Sequence, residues 1–111
     1  MTSQNSPTFG LLIKDLRGRI GLTQTQMAAK LDMDTGNLSK VENGKREFDI
    51  NKISLLSKLT GINELQLKSE LLSERFAKDL LTHGLDIRVL ELVPLKAKHL
   101  ISSTHFQSKL F

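Results

Sequence analysis

From Phe9 the apolar residues fall at 9, 12, 13, 16 and 20, while Lys14, Asp15, Arg17 and Arg19 lie mostly on the other side. That spacing lays one stripe along a helix and predicts a first helix over 9–19, weakened at its end by Gly18 and Gly21. Thr23 stands where an N-cap would serve the free amides of a short, Ala-rich second helix, 24–31. Asp34 can cap a third helix, and Asn43-Gly44 can end it. These two helices are each roughly two turns long and only a few residues apart, a link that fits two steeply crossing helices, the helix-turn-helix pattern. Asp49 starts a fourth helix with Ile50, Ile53, Leu55, Leu56 and Leu59 as its apolar positions, stopped by Thr60-Gly61. Asn63 with Gln66 reads as a capping box that opens a long fifth helix to His83. Asp86 can cap a sixth carrying Ile87, Leu90, Val93, Ala97, Leu100 and Ile101, which Pro94 is expected to kink or split. Residues 1–8 are too polar to bury anything and read as a disordered arm, and 102–111 read as a flexible tail. The chain as a whole reads as all-α.

Composition narrows the function. The 111 residues are 39% hydrophobic but only 5% aromatic, with no Trp or Tyr, so a core must be packed largely by aliphatic side chains. No cysteine is present, which excludes disulfides and thiolate chemistry. The start Met1-Thr-Ser-Gln-Asn lacks the basic and apolar regions of a signal peptide, and runs such as Leu92-Val-Pro-Leu95 are far too short to span a membrane. A soluble, cytoplasmic protein with no membrane association is the expectation. Sixteen Lys and Arg against 12 Asp and Glu give a net charge of +4, compatible with a polyanionic partner without demanding one. His83, His99 and His105 have no ligand-like spacing, so neither a metal nor another cofactor is expected. No Ser/His/Asp grouping, nucleophile elbow, phosphate-binding loop or paired acids appear, and no enzymatic activity is expected. Asn37-Leu38-Ser39 has the form of a glycosylation acceptor, a coincidence in a chain that is not exported.

The stretch Gly21-Leu-Thr-Gln-Thr-Gln-Met-Ala-Ala-Lys-Leu31, followed by Met33-Asp-Thr-Gly-Asn-Leu-Ser-Lys-Val-Glu-Asn-Gly-Lys-Arg46, resembles the Cro/repressor (Xre-like) helix-turn-helix family. The resemblance covers residues 9–65 and rests on several independent features. A Gln opens the second helix, an Ala-Ala pair lets the third approach it closely, and Glu-Asn-Gly-Lys-Arg closes the third. In length and in its added helical segment the chain is also similar to the small regulators of restriction-modification systems and of mobile elements. The resemblance implies a five-helix DNA-binding domain over 9–64, with a C-terminal helical extension over 65–101, in a bacterial or phage transcriptional regulator.

The major groove of B-DNA admits one helix, whose first turns reach base edges while the preceding helix crosses the backbone. Leu38 and Val41, with Met33 ahead of them, form the inward side of the third helix. By the resemblance, Thr35, Gly36, Asn37 and Lys40 match base-contacting positions. Asn37 can pair with adenine and Lys40 can reach guanine acceptors. Gln24 matches a phosphate-binding position, and Ser39, Asn43, Lys45 and Arg46 lie where the family holds the backbone. Gly36 stands where a polar residue is common. Asp34, an acid near phosphates, opposes binding unless its carboxylate is used as the cap. Arg17 and Glu42 match a partly buried bidentate pair that orients the recognition helix.

The extension has more apolar residues than a small core needs: Leu65, Leu67, Leu71, Leu72, Phe76, Leu80 and Leu81. A homodimer on a two-fold operator is the simplest outlet, with Leu72, Phe76, Leu80 and Leu90 as interface residues, although folding back on the domain would also hide them. The partner is double-stranded DNA, with a toxin or RNA polymerase as further candidates. Two other readings stay open: the DNA-binding antitoxin of a toxin-antitoxin pair, and a protein-interaction adaptor that keeps the fold without the groove chemistry.

Overall fold

Local side-chain hydrogen bonds set where the helices begin. In the computed structural model, which describes residues 8–103, α1 (Phe9–Arg19) is capped by Thr8, whose hydroxyl accepts from Leu11 N at 3.3 Å. Thr23 and Gln26 form a reciprocal capping box at the start of α2 (Gln24–Lys30), with Gln26 Oε1 accepting from Thr23 N at 2.9 Å. Asp34 Oδ1 accepts from Asn37 N at 2.6 Å and opens α3 (Thr35–Glu42). The cap so expected for Asp34 therefore does use the carboxylate. The fourth helix begins later than the apolar pattern suggested: Asp49 caps a 3-10 turn, Ile50–Lys52, and α4 spans Ile53–Thr60. Next comes α5 (Glu64–Thr82), where Asn63 Oδ1 accepts from Gln66 N at 3.1 Å. Residues 1–7 of the expected arm and 104–111 of the expected tail lie outside the described residues.

The sixth predicted helix is split as Pro94 required. Asp86 caps a 3-10 turn, Ile87–Glu91, and α6 (Val93–Ile101) carries the proline in its first turn, where no backbone N–H is needed. Among the described residues all regular structure is helical, so the fold is all-α, a helix-turn-helix with a C-terminal helical extension. The chain divides into two units, Met1–Phe76 and Ala77–Phe111.

The first unit closes around Ile13, Met27, Leu31, Leu38, Ile53 and Leu56, each with no exposed surface. Phe48, in the loop after α3, is 1% exposed and its ring centroid lies 5.6 Å from that of Phe9. Of the apolar positions of the fourth helix, Ile53 and Leu56 face the core while Leu55 faces solvent. Of the Ala pair in α2, only Ala28 is buried and Ala29 is exposed, so close approach to α3 rests on one alanine and not on both. A second close approach involves Gly10: a Cβ there would collide with the Val41 carbonyl oxygen, which is backbone and has nowhere to go. The absent side chain lets α1 lie directly on the backbone of α3, which outweighs the helix-propensity cost of about 1 kcal/mol for glycine.

The first part of α5 belongs to this core. Leu67 and Leu71 are buried, Glu74 Oε1 accepts from Phe9 N at 2.9 Å, and Arg75 Nη2 donates to the Phe48 carbonyl at 2.9 Å. Two of the leucines that looked surplus are therefore core residues. Arg75 also pairs with Glu47 at 2.9 Å. In the second unit the pattern reverses. No described residue of it is buried, and Leu81, Ile87 and Leu95 are among the most exposed apolar side chains of the protein.

Candidate nucleic-acid interface

Two turns with left-handed backbone place α3. After α2, Asp32 has φ +56°, and its neighbour Met33 N donates to Ala28 O at 2.9 Å, the bond that closes a Schellman turn. Glycine is the commonest residue in such a position, but the short side chain of Asp tolerates it. Lys52 Nζ donates to the Asp32 carbonyl at 2.7 Å and holds the turn from outside. After α3 the same turn is built on Gly44 at φ +75°, with Lys45 N donating to Lys40 O at 2.8 Å. The chain thus leaves α3 sharply, with Lys45 and Arg46 exposed beside its end.

A bidentate ion pair fixes the axis of α3. Arg17 Nε donates to Glu42 Oε2 at 2.8 Å and Nη2 to Oε1 at 3.0 Å. The third guanidinium nitrogen, Nη1, donates to the Leu22 carbonyl at 3.2 Å. Gln24 Nε2 also donates to Glu42 Oε1, at 2.9 Å. One carboxylate therefore ties α1, α2 and α3 together at 3% exposure. Burial alone would push the Glu42 carboxyl up. The hydrogen bonds from Arg17 and Gln24, with the Arg17 and Lys14 charges, outweigh it and hold the carboxyl below its usual range. Its hydrogen bond in turn raises Arg17, which stays charged.

Of the residues matched to base contacts, Gly36 and Lys40 are on the side of α3 away from Leu38 and Val41, and Thr35 and Asn37 flank the buried side. Gly36 and Lys40 are exposed, and Thr35 and Asn37 are partly buried. Asn37 is not free: its Oδ1 accepts from Arg46 Nη1 at 3.0 Å. Ser39, partly buried, is 3.5 Å through its hydroxyl from Asn43 Nδ2, a long contact. Gln24, matched to a phosphate position, has one amide hydrogen committed to Glu42. Gly36 is not required by the fold, since a Cβ there would meet only Asp34 Oδ1 at 3.5 Å, an ordinary contact. Sequence reasoning missed three residues that shape this surface: Gly10 under α3, Asp32 in the turn and Lys52 on that turn. Only Asp32 carried a signal, as a short polar residue one step past the last apolar position of α2.

Three of the four interface candidates in the extension are exposed. Leu72 and Phe76, four residues apart on α5, are 45% and 39% exposed, and Leu90 is 40% exposed. Leu80 is partly buried. Among the described residues no helix is long and apolar enough to cross a membrane.

Residues 13–67 match the model of the helix-turn-helix family, a stretch that runs from the middle of α1 to the first buried leucine of α5. Comparison with curated proteins and with solved structures gives no significant match.

Proposed function

Since the chain belongs to the helix-turn-helix family of Cro/repressor-like DNA-binding regulators, a non-enzymatic family, we propose that it is a sequence-specific transcriptional regulator acting in the cytoplasm as a homodimer on a two-fold operator. In this reading α3 enters the major groove. Thr35, Gly36, Asn37 and Lys40 face bases, while Ser39, Asn43, Lys45, Arg46 and the remaining amide hydrogen of Gln24 face phosphates. The observation that carries it is the outward edge of α3. This edge is polar, ends in two exposed cations, and includes a glycine that the fold does not need. In a solvated helix an alanine at 36 would be favoured by about 1 kcal/mol. A bare backbone there gives a duplex room to approach, or a thymine methyl a place to sit.

The test is a binding titration on duplex DNA from the region upstream of its own gene, repeated from low to moderate salt with wild type and Lys45→Ala. Each phosphate contact releases counterions, so the variant should bind all sequences more weakly and lose about 0.9 from the slope of log K against log salt. An unchanged slope would remove Lys45 from the backbone. If the wild type showed no salt-sensitive binding at all, the adaptor reading would take over.

Dimerisation is assigned to the extension because Leu72 and Phe76 on α5 are exposed and, among the described residues after Phe76, no apolar side chain is buried, so a partner is needed to cover them. Phe76 is the anchor of choice, being aromatic and exposed on α5. Light scattering at tens of micromolar, roughly the range of modest dissociation constants, should report a dimer for the wild type and a shift to monomer for Phe76→Asp. A wild type that remains monomeric there refutes the homodimer.

A further inference from the structure

Arg46 has an attachment that a pure phosphate clamp would not need. Its Nη1 donates to Asn37 Oδ1 at 3.0 Å, although the two residues are nine positions apart and Arg46 is otherwise exposed. A guanidinium has only donors, so of the two ends of the Asn37 amide it can hold only the oxygen. The amide is thereby oriented, with its nitrogen turned away from Arg46. The hydrogen bond is charge-assisted, and it strengthens once water is displaced from around it, as in an occupied groove. It also draws electron density toward Oδ1 and makes the two N–H groups of Asn37 better donors.

We infer that Arg46 is a specificity-determining positioning residue: by occupying Oδ1 it presents Asn37 to the DNA as a donor. An asparagine with both ends free pairs with adenine, giving a proton to N7 and accepting one from the N6 amino group. With the oxygen engaged by Arg46, the adenine amino group must compete for the remaining lone pair beside a positive charge. The guanine edge, whose N7 and O6 are both acceptors, asks nothing of that oxygen. Asn37 in this protein therefore favours guanine where an unheld asparagine would favour adenine. The inference rests on the assignment of Asn37 to a base in the major groove.

The experiment is a selection from randomised duplexes with the full chain as wild type, Asn37→Ala, Arg46→Ala and Lys45→Ala, each confirmed to be folded by a cooperative melt. At the position where Asn37→Ala loses its preference, the wild type should select guanine. Arg46→Ala should change the adenine-to-guanine ratio at that same position by about fivefold or more in favour of adenine, the lower end of what one bidentate base contact contributes. Lys45→Ala, the adjacent cation, should weaken binding to all sequences and leave the preference intact. If Arg46→Ala also leaves it intact, or if the wild type selects adenine there, the inference is overturned while Asn37 keeps its place against a base. If Asn37→Ala changes no position, the groove assignment of Asn37 fails and the inference falls with it.

Discussion

A chain ending after Asn63 should not fold, although it contains the whole of α1 to α4. Truncation there removes Leu67 and Leu71, 1% and 2% exposed in the intact protein. Replacing one buried leucine by alanine costs about 2–5 kcal/mol, and domains of this size have only about 5–15 kcal/mol to lose. The same cut removes Glu74, the acceptor for the first amide of α1, and Arg75, the donor to the Phe48 carbonyl. A chain ending after Lys78 keeps all four residues and should retain a cooperative thermal transition and high helix content by circular dichroism. Leu71→Ala in the full chain should lower stability by about 2–5 kcal/mol. A cooperative transition in the chain ending at Asn63, close in midpoint to that of the longer chain, would show that α5 is dispensable to the core.

The contrast between α5 and the earlier helices shows where sequence reading reaches and where it stops. Caps such as Thr23, Asp34 and Asn63 were legible because each bond spans three residues, so donor and acceptor are neighbours in the sequence. The stripes of α1 and α3 were legible because periodicity alone assigns their faces. In α5 every third or fourth residue is also apolar, but periodicity cannot say whether that stripe meets this core or another molecule. Leu67 and Leu71 meet the core and Leu72 and Phe76 do not, a distinction made by tertiary packing. Phe48 stands alone between Glu47 and Asp49, belongs to no stripe, and is nevertheless buried. Gly10 precedes the apolar residues Leu11-Leu-Ile13, and nothing local reveals that the backbone of Val41 lies over it. In the candidate interface the residue types came from the resemblance and their surroundings from the structure. That Gln24 serves Glu42 and that Arg46 holds Asn37 depends on side-chain conformations that no spacing encodes.

Arg17→Ala should be among the most damaging single substitutions in the protein, by about 3–5 kcal/mol, because it leaves the Glu42 carboxylate buried without its main partner. Glu42→Ala should cost less, since the Arg17 side chain is 18% exposed and can turn to water. The double variant should cost less than the sum of the two, as expected for groups whose contribution is mutual. The pH dependence separates this pairing from a general packing loss. In the wild type the folded Glu42 carboxyl lies below its ordinary value of 4.5, so its contribution is fully present above that pH and is lost as pH falls through the folded value. In Arg17→Ala burial becomes the dominant influence and pushes the carboxyl up. Protonation then relieves the variant as pH falls, while the wild type begins to lose its ion pair. The gap in unfolding free energy between the two should therefore be widest near neutrality and narrow toward and below about pH 4.5. Urea melts of the four proteins in the cycle at neutral and acid pH measure both effects. Strict additivity, or a gap that does not change with pH, would mean that the ion pair contributes nothing to the placement of α3.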